Sequence, residues 1–140
     1  MNVIAQIIHV LKQYPEVRYE FRSDAIRALA ADASGYEVAL LMQPQPCYTV
    51  CLATWHMEFA DENSAIGTFL GGLTEGYRLK VASRGGTDYR WTIQYQESYG
   101  YRDGSTVVTF NFKFWRRKKI RYLQNHLLRP PENTSVRYLM

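Results

Sequence analysis

The pair His56 and Glu58 is the first place where side-chain type and spacing suggest chemistry. Two residues apart on a strand, they project to the same side. A histidine ligand beside a proton-moving glutamate suits zinc-assisted deamination, which also needs a downstream Pro-Cys-x-x-Cys pair. The only cysteines, Cys47 and Cys51, lie upstream. His9 and His126 sit in the terminal segments and supply no second ligand cluster. His56 therefore reads as structural, and neither a metal nor a cofactor is expected. A cysteine nucleophile served by His56 lacks any neighbouring group to lower the thiol pKa. On one strand Cys47 and Cys51 would share a face about 13 Å apart, too far for a disulfide. They read as reduced thiols, which points to the cytoplasm.

Cations form the second set. If Leu79, Trp91, Ile93 and Phe112 face the core, then Arg78, Lys80, Arg84, Arg90 and Lys113 share the opposite side of a sheet with Thr92, Gln94, Gln96 and Asn111. Such a face could neutralise phosphates. A single-strand reader would also stack bases on aromatics, and here the aromatics, Trp115 excepted, read as inward. An ordinary solvated face is the favoured reading. The run Arg116-Arg117-Lys118-Lys119, with Arg121 beyond it, would suit a phosphate or an acidic partner at a helix start. It reads equally as a hydrated connection, or as cations outside a helix that begins after Lys119. Tyr99-Gly100-Tyr101-Arg102 has the residue types of contact surfaces, unless its tyrosines fold back on the sheet. Gly67, Gly71 and Gly72 fall inside a helical segment, so they cannot cradle phosphate as a strand-to-helix loop does.

These residues need elements to position them. Residues 2 to 13 predict an amphipathic helix, with Ile4, Ile7, Ile8 and Leu11 in helical spacing, Asn2 as cap and Pro15 as stop. Positions 17–21 alternate as a strand. Residues 24–31 fit a helix or half of a hairpin; the turn-like Asp32-Ala33-Ser34-Gly35 favours the hairpin. Strand 36–42 comes next, then a turn at Gln43-Pro44-Gln45-Pro46. The stretch 48–59 reads as one long strand, apolar on both faces, as in a covered central strand or an interface. Asp61 caps a helix that Gly76 ends with a left-handed residue. Strands 77–84, 89–96 and 106–115 form a meander, with a turn at Gly85-Gly86 and a loop carrying Tyr99, Tyr101 and Asp103-Gly104. Ile120, Leu123, Leu127 and Leu128 recur at helical spacing and predict a last helix, stopped by Pro130-Pro131.

The order predicts an α+β domain over 1–128: about six antiparallel strands in two meanders, curved around the central helix, with helices at both ends. Residues 129–140 read as a loose tail. A hydrophobic content of 46% supports a folded chain, and the net charge of +4 permits an anionic partner without requiring one. No apolar stretch is long enough to span a bilayer, so no membrane partner is expected. The leading functional expectation is a non-enzymatic module that binds a protein or a second copy of itself. A nucleic-acid-associated domain using Arg78, Lys80, Arg90, Lys113 and residues 116–119 comes second. A ligand or enzyme pocket between sheet and central helix, lined by His56 and Tyr48, comes third.

Overall fold

Asn2 opens the first helix as its position predicts: its Oδ1 accepts from the Ala5 amide at 2.8 Å, and α1 runs Val3–Leu11. Val3, Ile4, Ile7 and Leu11 form its buried stripe. The structure is a computed structural model and describes residues 2–44, 47–110 and 115–128. Five short strands succeed α1: β1 Tyr19–Arg22, β2 Ala25–Ala28, β3 Val38–Met42, β4 Tyr48–Leu52 and β5 Trp55–Phe59. They pair antiparallel in sequence order as one five-stranded sheet. The hairpin reading of residues 24–31 is the one observed, although its tight turn is Ser23-Asp24 and Asp32–Gly35 links β2 to β3.

The long strand predicted over 48–59 is instead a hairpin. Leu52 pairs with Trp55 across the two-residue turn Ala53-Thr54, and Tyr48 pairs with Phe59. Opposed residues in an antiparallel pair share a face. Tyr48, Val50, Leu52, Trp55, Met57 and Phe59 therefore line a single apolar face. The two greasy faces of the predicted strand are one face folded back on itself, so the double-sided pattern is no argument for an interface. Ala53 holds the turn at φ 53°, a region where an L side chain is strained. Replacing Ala53 with Gly should raise stability by about 0.5–1 kcal/mol, an increase of about 2–4 °C in the thermal midpoint.

Helix α2 covers Glu62–Gly71, capped by Asp61, whose Oδ2 accepts from the Ser64 amide at 2.7 Å. The hydrogen bond from the Ser64 hydroxyl, with this one from its amide, holds the Asp61 carboxyl below its ordinary value. The helix packs on β3, β4 and β5, with α1 beside it. Gly72 lies so close to the sheet that a Cβ there would meet Leu52 at 3.2 Å and Val38 at 3.3 Å. Close approach, not room for a pocket, is what this glycine provides. The helix ends at Gly71, five residues before the predicted Gly76. Its last carbonyls are satisfied from elsewhere, so no left-handed glycine is needed. Thr74 Oγ1 donates to Gly71 O, Asn125 Nδ2 to Gly72 O, and the amides of Leu127 and Leu128 to Leu73 O.

The second half forms a separate sheet: β6 Tyr77–Arg84, β7 Thr87–Glu97, β8 Gly100–Val108 and β9 Lys118–Leu123, in the order β8-β7-β6-β9. Three hairpin-connected strands and a fourth that returns beside the first make a Greek key. The predicted single sheet of about six strands is thus corrected to two antiparallel sheets of five and four. The predicted C-terminal helix is corrected as well. Residues 118–123 pair with the open edge of β6, Tyr122 opposite Lys80 and Ile120 opposite Ala82. Residues 124–128 continue the chain without regular structure. One buried core joins both sheets and the helices, with Ile7, Val38, Leu52, Phe69, Leu79 and Ile93 fully buried. Trp55 ties the sheets together, its Nε1 donating to both the backbone oxygen and the hydroxyl of Ser105 at 3.2 Å. No helix among the described residues is long and apolar enough to cross a membrane. The predicted tail at 129–140 lies outside the described residues.

Candidate functional site

Alternation in β6 and β7 divides the four-stranded sheet as its sequence predicts. Leu79, Val81, Trp91 and Ile93 are buried, while Arg78, Lys80 and Arg90 take the outer face. Register lays that face out in rows across the strands. One row runs Tyr122, Lys80, Thr92, Thr106; the next runs Ile120, Ala82, Arg90, Val108. A third holds Arg78, Gln94 and Asp103.

The face is not the aromatic-poor surface the sequence predicts. Arg78 lies between two tyrosine rings, with its guanidinium carbon 3.8 Å from the Tyr101 centroid and 4.1 Å from that of Tyr122. Such stacking suits the weakly hydrated guanidinium. Arg78 Nε donates to Gln94 Oε1 at 2.6 Å, and Gln94 Nε2 donates to Asp103 Oδ1 at 2.6 Å. Tyr101 donates to the Glu75 carbonyl at 3.1 Å and accepts from Gln124. Arg78 and Tyr101 are thus fixed parts of a polar network. Asp103, expected in a turn, sits in β8 beside a bulge, with its carboxylate 4.0 Å from Lys80 Nζ. Thr92 and Thr106 share a 2.8 Å hydrogen bond between their hydroxyls.

Arg116, Arg117, Lys118 and Lys119 are all exposed, but they begin no helix: Lys118 and Lys119 are the first residues of edge strand β9. Cations on an edge strand oppose pairing with other chains. Arg84 joins this end, its Nη1 donating to the Arg116 carbonyl at 2.9 Å. Arg121 is drawn away to the core side, opposite Val81, where both guanidinium nitrogens grip Asp88. Those hydrogen bonds hold the Asp88 carboxyl below its usual range and raise Arg121. Lys113, Phe112 and Asn111 lie outside the described residues. Tyr99 stands fully exposed at the β7–β8 turn and away from Tyr101's network, so the two tyrosines do not act together.

The predicted pocket of His56 and Tyr48 is not assembled. Tyr48 packs against the core beside Phe59, whereas His56 lies on the opposite, outer face of the five-stranded sheet, across from Cys51. His56 is exposed and its Nδ1 is 3.0 Å from Thr54 O. Cys47 and Cys51 are free thiols, and burial pushes the Cys51 thiol up, away from nucleophilic use. Among the described residues, no three His, Cys, Asp or Glu side chains gather where they could hold a metal ion.

Sequence reasoning missed Ile120, Tyr122, Val108, Thr106 and Asp103 as members of the face. A helical reading of 120–128 conceals Ile120 and Tyr122, and a turn reading conceals Asp103. The strand predicted over 106–115, with Phe112 inward, puts Thr106 and Val108 inward too. Register instead sets Val107 against Trp91 on the core side, and Thr106 and Val108 on the outer face. With them in place, exposure is lopsided. Seven large hydrophobic side chains are exposed among the described residues, and five of them, Val108, Phe110, Trp115, Ile120 and Tyr122, fall between positions 108 and 122. Comparison of the chain with protein-family profiles, curated proteins and solved structures finds no match.

Proposed function

We propose that this chain is a non-enzymatic binding module that holds a protein partner against the outer face of β8-β7-β6-β9. The observation that carries the reading is the exposure of Val108, Ile120 and Tyr122 among the cations of this face, with Phe110 and Trp115 exposed in the same stretch of chain. Scattered exposed hydrophobics need no explanation, whereas a cluster edged by polar groups marks a contact surface. The complementary partner presents apolar side chains together with carboxylates, to meet Lys80, Arg90 and Lys118. A second copy fits poorly, since face-to-face pairing would set these cations against each other. The two free thiols support a cytoplasmic setting.

A photo-crosslinking amino acid at Tyr122 tests the reading in cells that make the protein, with the same group at Glu58 on the other sheet as control. The expected result is one discrete protein adduct from position 122, none from 58, and loss of the adduct in an Arg90→Glu background. Equal adducts at both sites, or none at 122, would remove the reading.

A second reading rests on the hairpin end, where Arg84 and the exposed cations 116–119 are brought side by side. That end would contact nucleic-acid phosphates, with steep salt dependence. Against it, Asp103 lies within the adjoining face, and the tyrosine rings that could stack bases already hold Arg78. Fluorescence anisotropy with labelled single-stranded DNA and RNA across a salt series decides it: no binding at low salt ends it.

A further inference from the structure

The outer face contains a hollow of about 340 Å³. Ala82 stands in a row between Ile120 and Arg90, and Lys80 precedes it on β6 with Thr92 opposite. Ala82 and Thr92 are both buried and form the floor. Lys80 and Arg90 occupy the other diagonal of this four-residue square, and diagonal neighbours on adjacent strands lie about 7–8 Å apart, within reach of long side chains. Ile120 on one flank and Val108 on the other supply apolar walls. The result is a small mixed basin: Ala82, Ile120 and Val108 are its apolar part, Thr92, Thr106 and Asp103 its polar part, and two cations lean over it from opposite corners.

The cations are not equivalent. Lys80 has Asp103 at 4.0 Å, whereas Arg90 has no ion-pair partner among the described residues. A guanidinium without an ion-pair partner among the described residues, beside the apolar part of the basin, is complementary to a group that carries a carboxylate next to a branched aliphatic body. We propose that this hollow is the specificity pocket of the binding face, and that it receives a leucine-like side chain with an adjacent carboxylate from the partner chain. The carboxylate pairs with Arg90, since Lys80 already faces Asp103, and the aliphatic body sits on Ala82 against Ile120 and Val108. The proposal rests on the reading of this face as a protein-binding surface and names the chemistry that the partner must present.

N-acetyl-leucine carries this chemistry in minimal form, and N-acetyl-leucinamide is its neutral counterpart. Titration of the ¹⁵N-labelled full chain with each, monitored by amide correlation spectra, tests the pocket. The acid should move the amides of Lys80, Ala82, Arg90 and Ile120, saturating in the millimolar range, while the amide binds about tenfold more weakly, the ratio for one charge-assisted hydrogen bond. Ala82→Leu, which fills the basin, should abolish the shifts. Arg90→Gln, a surface change that leaves the packing intact, should lower the affinity of the acid to that of the amide. Equal binding of acid and amide, shifts located elsewhere, or no shifts at all would overturn the proposal. If the position-122 adduct persists in that case, the surface reading stands and only the pocket chemistry falls. If the adduct is also missing, both fall.

Discussion

Asn125→Ala is expected to lower the unfolding free energy by about 3–4 kcal/mol, a large fraction of what a small domain has. The side chain is buried and its hydrogen bonds are directed at backbone from two distant places. Oδ1 accepts from the Tyr36 amide at 3.0 Å, and Nδ2 donates to Tyr36 O and to Gly72 O, each at 2.9 Å. One amide group thus fastens the segment after β9 to the chain just ahead of β3 and to the end of α2. Alanine would leave these backbone groups buried without a partner, and each such group costs on the order of 1–3 kcal/mol before relaxation. Urea unfolding monitored by circular dichroism measures the loss. Gly35 supplies an internal check, because a Cβ there would clash severely with Asn125 Oδ1. Gly35→Ala should therefore be destabilising in the native background and nearly neutral in the Asn125→Ala background, a non-additivity expected only of residues in direct contact.

Trp55→Ala should cost about 3–5 kcal/mol, as truncation of large buried aromatics does. Trp55 is fully buried at the start of β5, opposite Leu52, and reaches across to Ser105 on β8. It belongs to the first sheet and packs into the second, so its loss removes both volume and the hydrogen bond between them. Trp55→Phe retains most of the contact area and should cost much less, since Ser105 is exposed and can be satisfied by solvent. The denaturant midpoint should fall in both variants with the slope unchanged; a changed slope would mean that the two sheets have ceased to unfold together.

Local chemistry is legible in the chain wherever it is decided locally. Asn2 and Asp61 cap the helices they are expected to cap, and the alternation of β6 and β7 assigns Leu79, Trp91 and Ile93 to the core. What the sequence conceals is decided by distant partners. Ala53-Thr54 contains no glycine, asparagine or proline, so nothing marks the turn that divides residues 48–59. The strain it imposes on Ala53 is offset by burial of Leu52 and Trp55 on either side. Ile120, Leu123, Leu127 and Leu128 match helical spacing, yet the open edge of β6 offers a ladder to residues 118–123, and tertiary pairing overrides local propensity. The end of α2 is misplaced for the same reason: its capping groups come from residues 125–128, about fifty positions further along the chain.

The outer face of the four-stranded sheet shows both sides of this. Its cations on β6 and β7 can be read from alternation alone. Its apolar members, Val108, Ile120 and Tyr122, come from the strands whose limits the sequence hides, and they turn an ordinary charged surface into a mixed one. Asp103 offsets Lys80 across the same face, so in the proposed complex the partner's carboxylate goes to Arg90.

The proposed binding face requires that Tyr122, Ile120 and Trp115 stand in water while Trp91 and Trp55 do not. Hydroxyl-radical footprinting of the full chain, read residue by residue by mass spectrometry, measures this directly. Rapid oxidation of Trp115 and Tyr122, with Trp55 and Trp91 protected until the protein unfolds, is the result expected. Oxidation of Trp91 as fast as that of Trp115, or protection of Tyr122 in the isolated chain, would contradict the assignment of faces and the binding surface built on it.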